Sequence, residues 1–100
     1  MIVRVTDTAV DPGDVERSQE LVRSVVRPAL EEVDGCEGIE VHVRVDAHHG
    51  NFVEVAVVSR WATREAMDAA VRSDEYGDAM ADIRALFQHS PIVRIFETSD

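Results

Sequence analysis

Several residue types are rare or missing in this chain of 100 residues: it contains no lysine, one cysteine, three prolines, one tryptophan and one tyrosine. Because the single Cys36 cannot form an intramolecular disulfide, we expect a reducing compartment. No apolar run approaches the roughly 20 residues that a membrane-spanning helix needs. The first residues lack the basic segment and apolar stretch of a signal peptide. These absences predict a cytoplasmic protein that does not enter a membrane.

Basic residues are also scarce. The chain has ten arginines and twenty aspartates and glutamates, which gives a formal net charge of -10. Because phosphate contacts need a basic field, this balance argues against binding to nucleic acid or to an anionic membrane. Hydrophobic residues make up 45% of the chain and charged residues 30%, which is typical of a globular protein. One hundred residues are too few to bury a second core, so we predict a single domain over residues 1–100.

Hydrophobic periodicity predicts the elements and their order. Strict alternation predicts four strands, over residues 2–10, 39–46, 52–60 and 92–96. Apolar residues spaced three and four apart predict helices over residues 12–33, 63–71 and 73–87. Asp11, Thr63 and Ser73 are the expected N-caps, and Pro28 is expected to kink the first helix before it ends near Gly35. The order β-α-β-β-α-β predicts a ferredoxin-like α+β fold whose helices share one face of a four-stranded antiparallel sheet.

The two faces of this sheet differ in composition. One predicted face is almost entirely β-branched and should meet the helices. It collects Val3, Val5, Val41, Val43, Val45, Val53, Val55, Val57, Val93 and Ile95. The other face mixes charged and apolar residues. It collects Arg4, Thr6, Glu40, His42, Arg44, Glu54, Arg60 and Arg94 with Ile2, Phe52, Val58, Ile92 and Phe96.

The mixed face predicts a protein interface. A solvated face does not need so many large apolar residues, and the core of a monomer would not hold four arginines. We therefore predict a homodimer that forms sheet to sheet, with arginine–glutamate pairs across the contact. The expected interface residues are Arg4, Glu40, Arg44, Glu54 and Arg94. The alternative is an ordinary solvated face with scattered surface hydrophobic residues.

Four short segments resemble one known family. They are Pro28–Ala29 in the first helix, Gly35–Cys36 after it, Trp61–Ala66 at the end of a strand, and Ser73–Tyr76 at a helix start. In this order they resemble the antibiotic biosynthesis monooxygenase family. The resemblance implies a dimeric α+β barrel with a ligand pocket in each subunit, between the sheet and the helices. It also implies oxygenase chemistry without metal or flavin, in which the anion of a phenol, hydroquinone or anthrone reduces dioxygen directly.

The functional residues of that family are mostly absent at the matching positions. Most of those positions hold apolar residues here, namely Val57, Met67, Ala70 and Met80, and the first-strand asparagine of haem-degrading relatives falls near Thr6 or Asp7. Haem degradation is therefore not expected, and no cofactor is predicted. Two functions remain. One is a cofactor-independent monooxygenase that oxidises a small aromatic or polyketide-like phenol or hydroquinone, and the alternative is a non-catalytic homodimeric ligand-binding or accessory protein of the same fold.

Candidate site residues follow from these alternatives. The predicted substrate pocket would be lined by Trp61, Tyr76, Met67 and Met80, although helical spacing also suits ordinary core packing. His42 is a candidate general base because it lies in a strand beside Glu40 and Arg44, but it also suits an interface ion-pair network.

A metal site is not predicted. Asp46, His48 and His49 are close in sequence, but neighbouring histidines on one hairpin seldom converge on an ion that needs about four ligands. Cys36 has no histidine or lysine beside it that would favour a reactive thiolate.

Overall fold

The structure, a computed structural model, describes residues 1–48 and 50–99. Its strands are β1 (Ile2–Val10), β2 (Cys36–Val43), β3 (Val53–Trp61) and β4 (Ile92–Glu97). They form an antiparallel sheet in the order β2-β3-β1-β4. The helices pack on one side of this sheet, which we call the helix-facing side, and we call the other side the open side. The predicted ferredoxin-like α+β fold is confirmed.

The first helical region consists of consecutive pieces rather than one kinked helix. A 3₁₀ turn is followed by α1 (Val15–Leu21), a π-helical turn (Val22–Val26) and α2 (Arg27–Glu31). Asp11 caps the start as predicted, because its side chain accepts a hydrogen bond of 2.9 Å from the N–H of Gly13. Pro28 lies in the first turn of α2, where a missing N–H costs little, and the π-helical turn directly before it takes up the irregularity.

Two further helices follow β3. They are α3 (Arg64–Val71) and α4 (Asp74–Arg84). The predicted caps are confirmed, since Thr63 Oγ1 accepts from the N–H of Ala66 at 3.1 Å and Ser73 Oγ accepts from the N–H of Tyr76 at 3.2 Å. The last helix ends earlier than predicted. Phe87 lies beyond it and forms an isolated β-bridge with Val10 at the end of β1.

The core lies between the helices and the helix-facing side. It combines β-strand residues with the apolar stripes of the helices. Its buried members are Leu21, Val22, Val26, Leu30, Ile39, Val57, Trp61, Met67, Ala70, Tyr76, Met80 and Ile83. Within the described residues, no helix combines the length and apolar character needed to cross a bilayer.

Strand β1 faces the opposite way from the prediction. The register pairs Arg4 with Ser59 and Thr6 with Val57, and opposed residues of antiparallel strands share a face. Because Val57 belongs to the core, Arg4 and Thr6 lie on the helix-facing side and Val3 lies on the open side. The prediction of Arg4 as an open-face interface residue was therefore wrong. Alternation shows which residues share a face, but β1 carries apolar residues on both of its faces and does not reveal which one is covered.

Strand β2 is displaced toward the N-terminus relative to the prediction. It begins at Cys36 rather than Ile39 and ends at Val43, with an irregular register between Cys36 and Gly38. Val45, which was predicted to face the helices, lies beyond the strand and is 94% exposed. The register between β2 and β3 ends with the pair Val43 and Val55, and just beyond it the Arg44 N–H donates to the Glu54 carbonyl at 3.0 Å.

Candidate functional site

The four predicted pocket residues are packed side chains of the core. Trp61, Met67, Tyr76 and Met80 are each no more than 3% exposed. The Trp61 Nε1–H donates to Ser59 Oγ at 2.9 Å, which satisfies the only polar atom of the indole. The Arg84 guanidinium lies 5.6 Å from the centre of the Tyr76 ring, a cation–π contact at the core's edge. A substrate role for these four side chains stays a prediction.

The cavities lie elsewhere. The five that we describe among residues 1–48 and 50–99 are lined by other side chains than those four. An apolar groove of about 520 Å³ lies outside the sheet between α2, α3 and the start of α4. Cys36 lines a smaller cavity, and burial raises the pKa of its thiol, which disfavours a reactive thiolate.

The open side brings charged residues from neighbouring strands together. His42, Ala56, Asp7 and Ile92 lie in one cross-strand row, because each is paired with the next in the sheet register. Strands lie about 4.8 Å apart, so the Cα atoms of His42 and Asp7 are separated by about 10 Å. Between them in this row lies the small side chain of Ala56.

Glu40 is the centre of one ion-pair network. Arg60 Nη1 donates to Glu40 Oε1 at 2.5 Å, and His42 Nε2 lies 3.2 Å from the same oxygen. The Arg60 hydrogen bond, assisted by His42, lowers the pKa of Glu40 and keeps this carboxylate ionised. The structure thus places His42 beside Glu40, half exposed and part of an ion-pair network. Its role as a general base stays a prediction.

Arg44 is the centre of a second network. Its Nε donates to Asp46 Oδ1 at 2.7 Å and its Nη1 to Glu54 Oε1 at 2.9 Å. These contacts raise the pKa of Arg44 and lower the pKa of Asp46. The arginine–glutamate pairs of the open side therefore already form within one chain. His49, the third residue considered as a metal ligand, lies outside the described residues, and His48 is exposed.

A cavity of about 330 Å³ opens on the open side near the end of β1, and we call it the open-side cavity. Its lining residues are Asp7, Thr8, Ala9, Glu54, His89, Ser90, Ile92 and Arg94. The segment between α4 and β4 forms one wall. Two hydrogen bonds to backbone carbonyls hold that wall against β1. The Gln88 N–H donates to the Ala9 carbonyl at 2.8 Å, and the Thr8 hydroxyl donates to the His89 carbonyl at 2.9 Å.

Two carboxyl groups and a guanidinium meet in this cavity. Burial raises the pKa of Asp7, as do its hydrogen bond with Glu54 and the negative charge of that neighbour, while the charges of Arg94 and Arg44 act in the opposite direction. Within the described part of the chain, Arg94 makes no hydrogen bond or close ion pair. The arrangement can accept one proton between two carboxyl groups and hold an anion beside it.

Sequence reasoning had singled out Glu54 and Arg94 but not Asp7. The signal available in the sequence was an aspartate inside a strand, two residues from Val5 on the same face. That signal did not distinguish a surface carboxylate from a half-buried one. The burial of Asp7 depends on the wall at residues 88–91, which is more than eighty positions away in the chain.

Comparison with known proteins agrees with this architecture. A protein from Bordetella bronchiseptica assigned to the antibiotic biosynthesis monooxygenases superimposes with a TM-score of 0.77, at 20% identity over 98% of this chain and 96% of that one. A similarly assigned protein from Deinococcus radiodurans gives a TM-score of 0.75 at 13% identity, over 100% of this chain and 94% of that one. At these identities the likeness shows the fold alone.

Sequence comparison is more specific. Two strains of Mycobacterium tuberculosis carry an uncharacterised protein that is 40% identical over 68 residues, which cover 68% of this chain but only 27% of that protein. The chain thus spans about a quarter of the length of these relatives. The family model "Antibiotic biosynthesis monooxygenase" matches residues 1–82. On this match, the chain belongs to the antibiotic biosynthesis monooxygenase family.

Proposed function

We propose that this protein is a cofactor-independent monooxygenase that oxidises a small phenol, hydroquinone or anthrone with dioxygen in the open-side cavity. The observation that carries the proposal is Asp7, whose carboxyl group lies in a cavity of about 330 Å³ together with Glu54 and Arg94. Family membership supports the reaction class. The tight packing around Trp61 favours the open side over the helix-facing side as the place where a substrate binds.

In the proposed reaction, the Asp7 carboxylate accepts the substrate's hydroxyl proton, and Glu54 shares it. A raised pKa suits this role, because a base whose pKa is closer to that of the phenol transfers the proton more efficiently. The Arg94 guanidinium stabilises the resulting phenolate. The electron-rich anion then reduces dioxygen. For an anthrone, a CH₂ group becomes a carbonyl with one oxygen atom, and the other oxygen leaves as water with the two hydrogens.

We further propose that a second copy of the chain covers the open side. Ile92 and Phe96 are 55% and 52% exposed there, and both lie on one face of the edge strand β4, where apolar side chains can pack against another chain. A covering copy would exclude water from the cavity and strengthen the interactions of Arg94 with an anion. In this arrangement Asp7, which lines the cavity, takes the role of base, and His42 belongs to the Glu40 network.

Oxygen uptake with a panel of hydroquinones and anthrones tests the reaction. The native protein should consume dioxygen faster than the spontaneous oxidation of each substrate, and Asp7→Asn should lower that rate by about 100-fold or more. Asp82→Asn, on the exposed face of α4, is the matched control and should keep the native rate. Native uptake equal to the spontaneous rate across the panel, or an unchanged rate in Asp7→Asn, would contradict the proposal.

The closed core around Trp61 favours a second candidate, a non-catalytic homodimeric ligand-binding or accessory protein. This candidate expects no uptake above the spontaneous rate with any member of the panel. If it is correct, Trp61→Phe should alter only the free energy of unfolding, because the indole packs in the core and its N–H donates to Ser59 Oγ.

A further inference from the structure

We propose that the open-side cavity selects hydroxylated aromatic carboxylic acids, with the ligand carboxylate at Arg94 and its hydroxyl at the Asp7–Glu54 pair. The oxidation of such a ligand rests on the proposed function. Its recognition does not require that reaction.

Arg94 differs from the other two arginines of the open side in its ionic partners. On the open side, Arg44 is paired with Asp46 and Glu54, and Arg60 is paired with Glu40. Arg94 lies opposite Val5 in the register and lines the cavity without such a partner among the described residues. A guanidinium can bind a carboxylate through two parallel hydrogen bonds. A ligand carboxylate would therefore give Arg94 the kind of partner that the other two arginines have within the chain.

Asp7 and Arg94 lie on neighbouring strands of the open side. Asp7 is paired with Ile92, and Arg94 lies two residues further along β4 on the same face. Such diagonal neighbours have Cα atoms about 7 to 8 Å apart. At this spacing, a carboxyl group that accepts a proton and a guanidinium that donates hydrogen bonds can contact two different polar groups of one aromatic ligand. This spacing favours a ligand with two separate polar groups.

The open-side cavity has an imidazole ring and an aliphatic side chain in its lining. The rings of Phe52 and His89 meet edge to face with centroids 6.3 Å apart, and His89 and Ile92 line the cavity. An aromatic and aliphatic wall suits a flat ring better than a sugar or a peptide. A volume near 330 Å³ is at the lower end of ligand pockets, which span roughly 300 to 1,000 Å³, so one or two rings fit.

Calorimetric titration with three probes tests this assignment: 4-hydroxybenzoate, phenol, which lacks the carboxylate, and benzoate, which lacks the hydroxyl. At constant ionic strength, 4-hydroxybenzoate should bind the native protein at least tenfold more tightly than either of the others. Arg94→Gln should remove the preference over phenol, and Asp7→Asn should reduce the preference over benzoate. Arg72→Gln, exposed at the end of α3, is the matched control and should retain the native pattern.

Circular dichroism on each variant establishes that it is folded. Equal affinities for 4-hydroxybenzoate and phenol, or a preference that survives Arg94→Gln, would overturn the inference. The outcome is separable from that of the proposed function. Selective binding without oxygen uptake supports the ligand class and contradicts the monooxygenase, whereas oxygen uptake that depends on Asp7 without any preference for the acid contradicts the ligand class alone.

Discussion

At the scale of single residues, Gly35 leaves the least room for a side chain among the five glycines. Its φ of +84° lies in the left-handed region, and an added Cβ would lie 2.5 Å from the Ala66 Cβ. Both effects oppose a side chain. We expect Gly35→Ala to lower the free energy of unfolding by about 2 kcal/mol or more, measured by urea denaturation.

Gly77 provides the matched control. It lies inside α4, and nothing within 4 Å would obstruct an added Cβ. Gly77→Ala should raise the free energy of unfolding by roughly 0.5 to 1 kcal/mol, because alanine loses less backbone entropy in a helix. If the two substitutions had the same effect, the explanation from backbone conformation and contact at Gly35 would be wrong.

Single residues also show where prediction from the sequence stops. The open-side positions of Glu40, Glu54 and Arg94 were predicted correctly, because alternation fixed the parity of β2, β3 and β4. Arg4 was assigned to the wrong face because β1 has apolar residues on both faces. Asp7 was missed because its burial comes from a distant segment and from Glu54 on a neighbouring strand.

At the scale of elements, local signals predicted well. The N-caps at Asp11, Thr63 and Ser73 depend on hydrogen bonds that reach only two or three residues along the chain. The π-helical turn at Val22–Val26 could not be predicted in the same way. It replaces the expected smooth helix before Pro28, and such turns depend on how the helix packs against the sheet as much as on its own residues.

Ser73 joins two elements, so its removal should be measurable. Its Oγ accepts from the Tyr76 N–H at the start of α4 and donates to the Ala70 carbonyl at the end of α3, at 2.6 Å. Ser73→Ala should lower the free energy of unfolding by about 1 kcal/mol in urea denaturation. Thr98→Ala, exposed after β4, should change it by less than about 0.5 kcal/mol. Equal losses for the two variants would show that the cap contributes little.

At the scale of the whole molecule, the open side differs from the rest of the surface in charge. Its charged residues include three arginines and three carboxylates: Arg60, Arg94, Asp7, Glu40 and Glu54 on the strands, and Arg44 one residue beyond β2, paired with Glu54. The face is therefore balanced, and the net charge of -10 lies on the remainder of the chain. Two copies would repel each other least if they met through this face. Charge balance and the exposed apolar residues thus favour the same surface.

The proposed dimer can be disrupted at one side chain. Phe96 is 52% exposed on the open side, paired with Val3 in the register. The native protein should show twice the chain mass of 11.1 kDa by light scattering at micromolar concentration, and Phe96→Asp should show the single mass, because a buried, unpaired carboxylate opposes association. The circular dichroism of this variant should stay native, since the side chain is exposed in one chain.

Val45→Asp is the matched control for this substitution. Val45 is 94% exposed and lies beyond the end of β2, outside the proposed interface, so the variant should remain dimeric. A native protein of single mass, or a Phe96→Asp variant of double mass, would show that the open side is not the interface.

Ligand binding should also depend on the dimer. In a monomer the cavity would stay open to water, and a solvated pair of Arg94 with a ligand carboxylate would contribute about 1 kcal/mol at most. Selective binding and association are therefore coupled, and Phe96→Asp should weaken 4-hydroxybenzoate binding as well as the dimer.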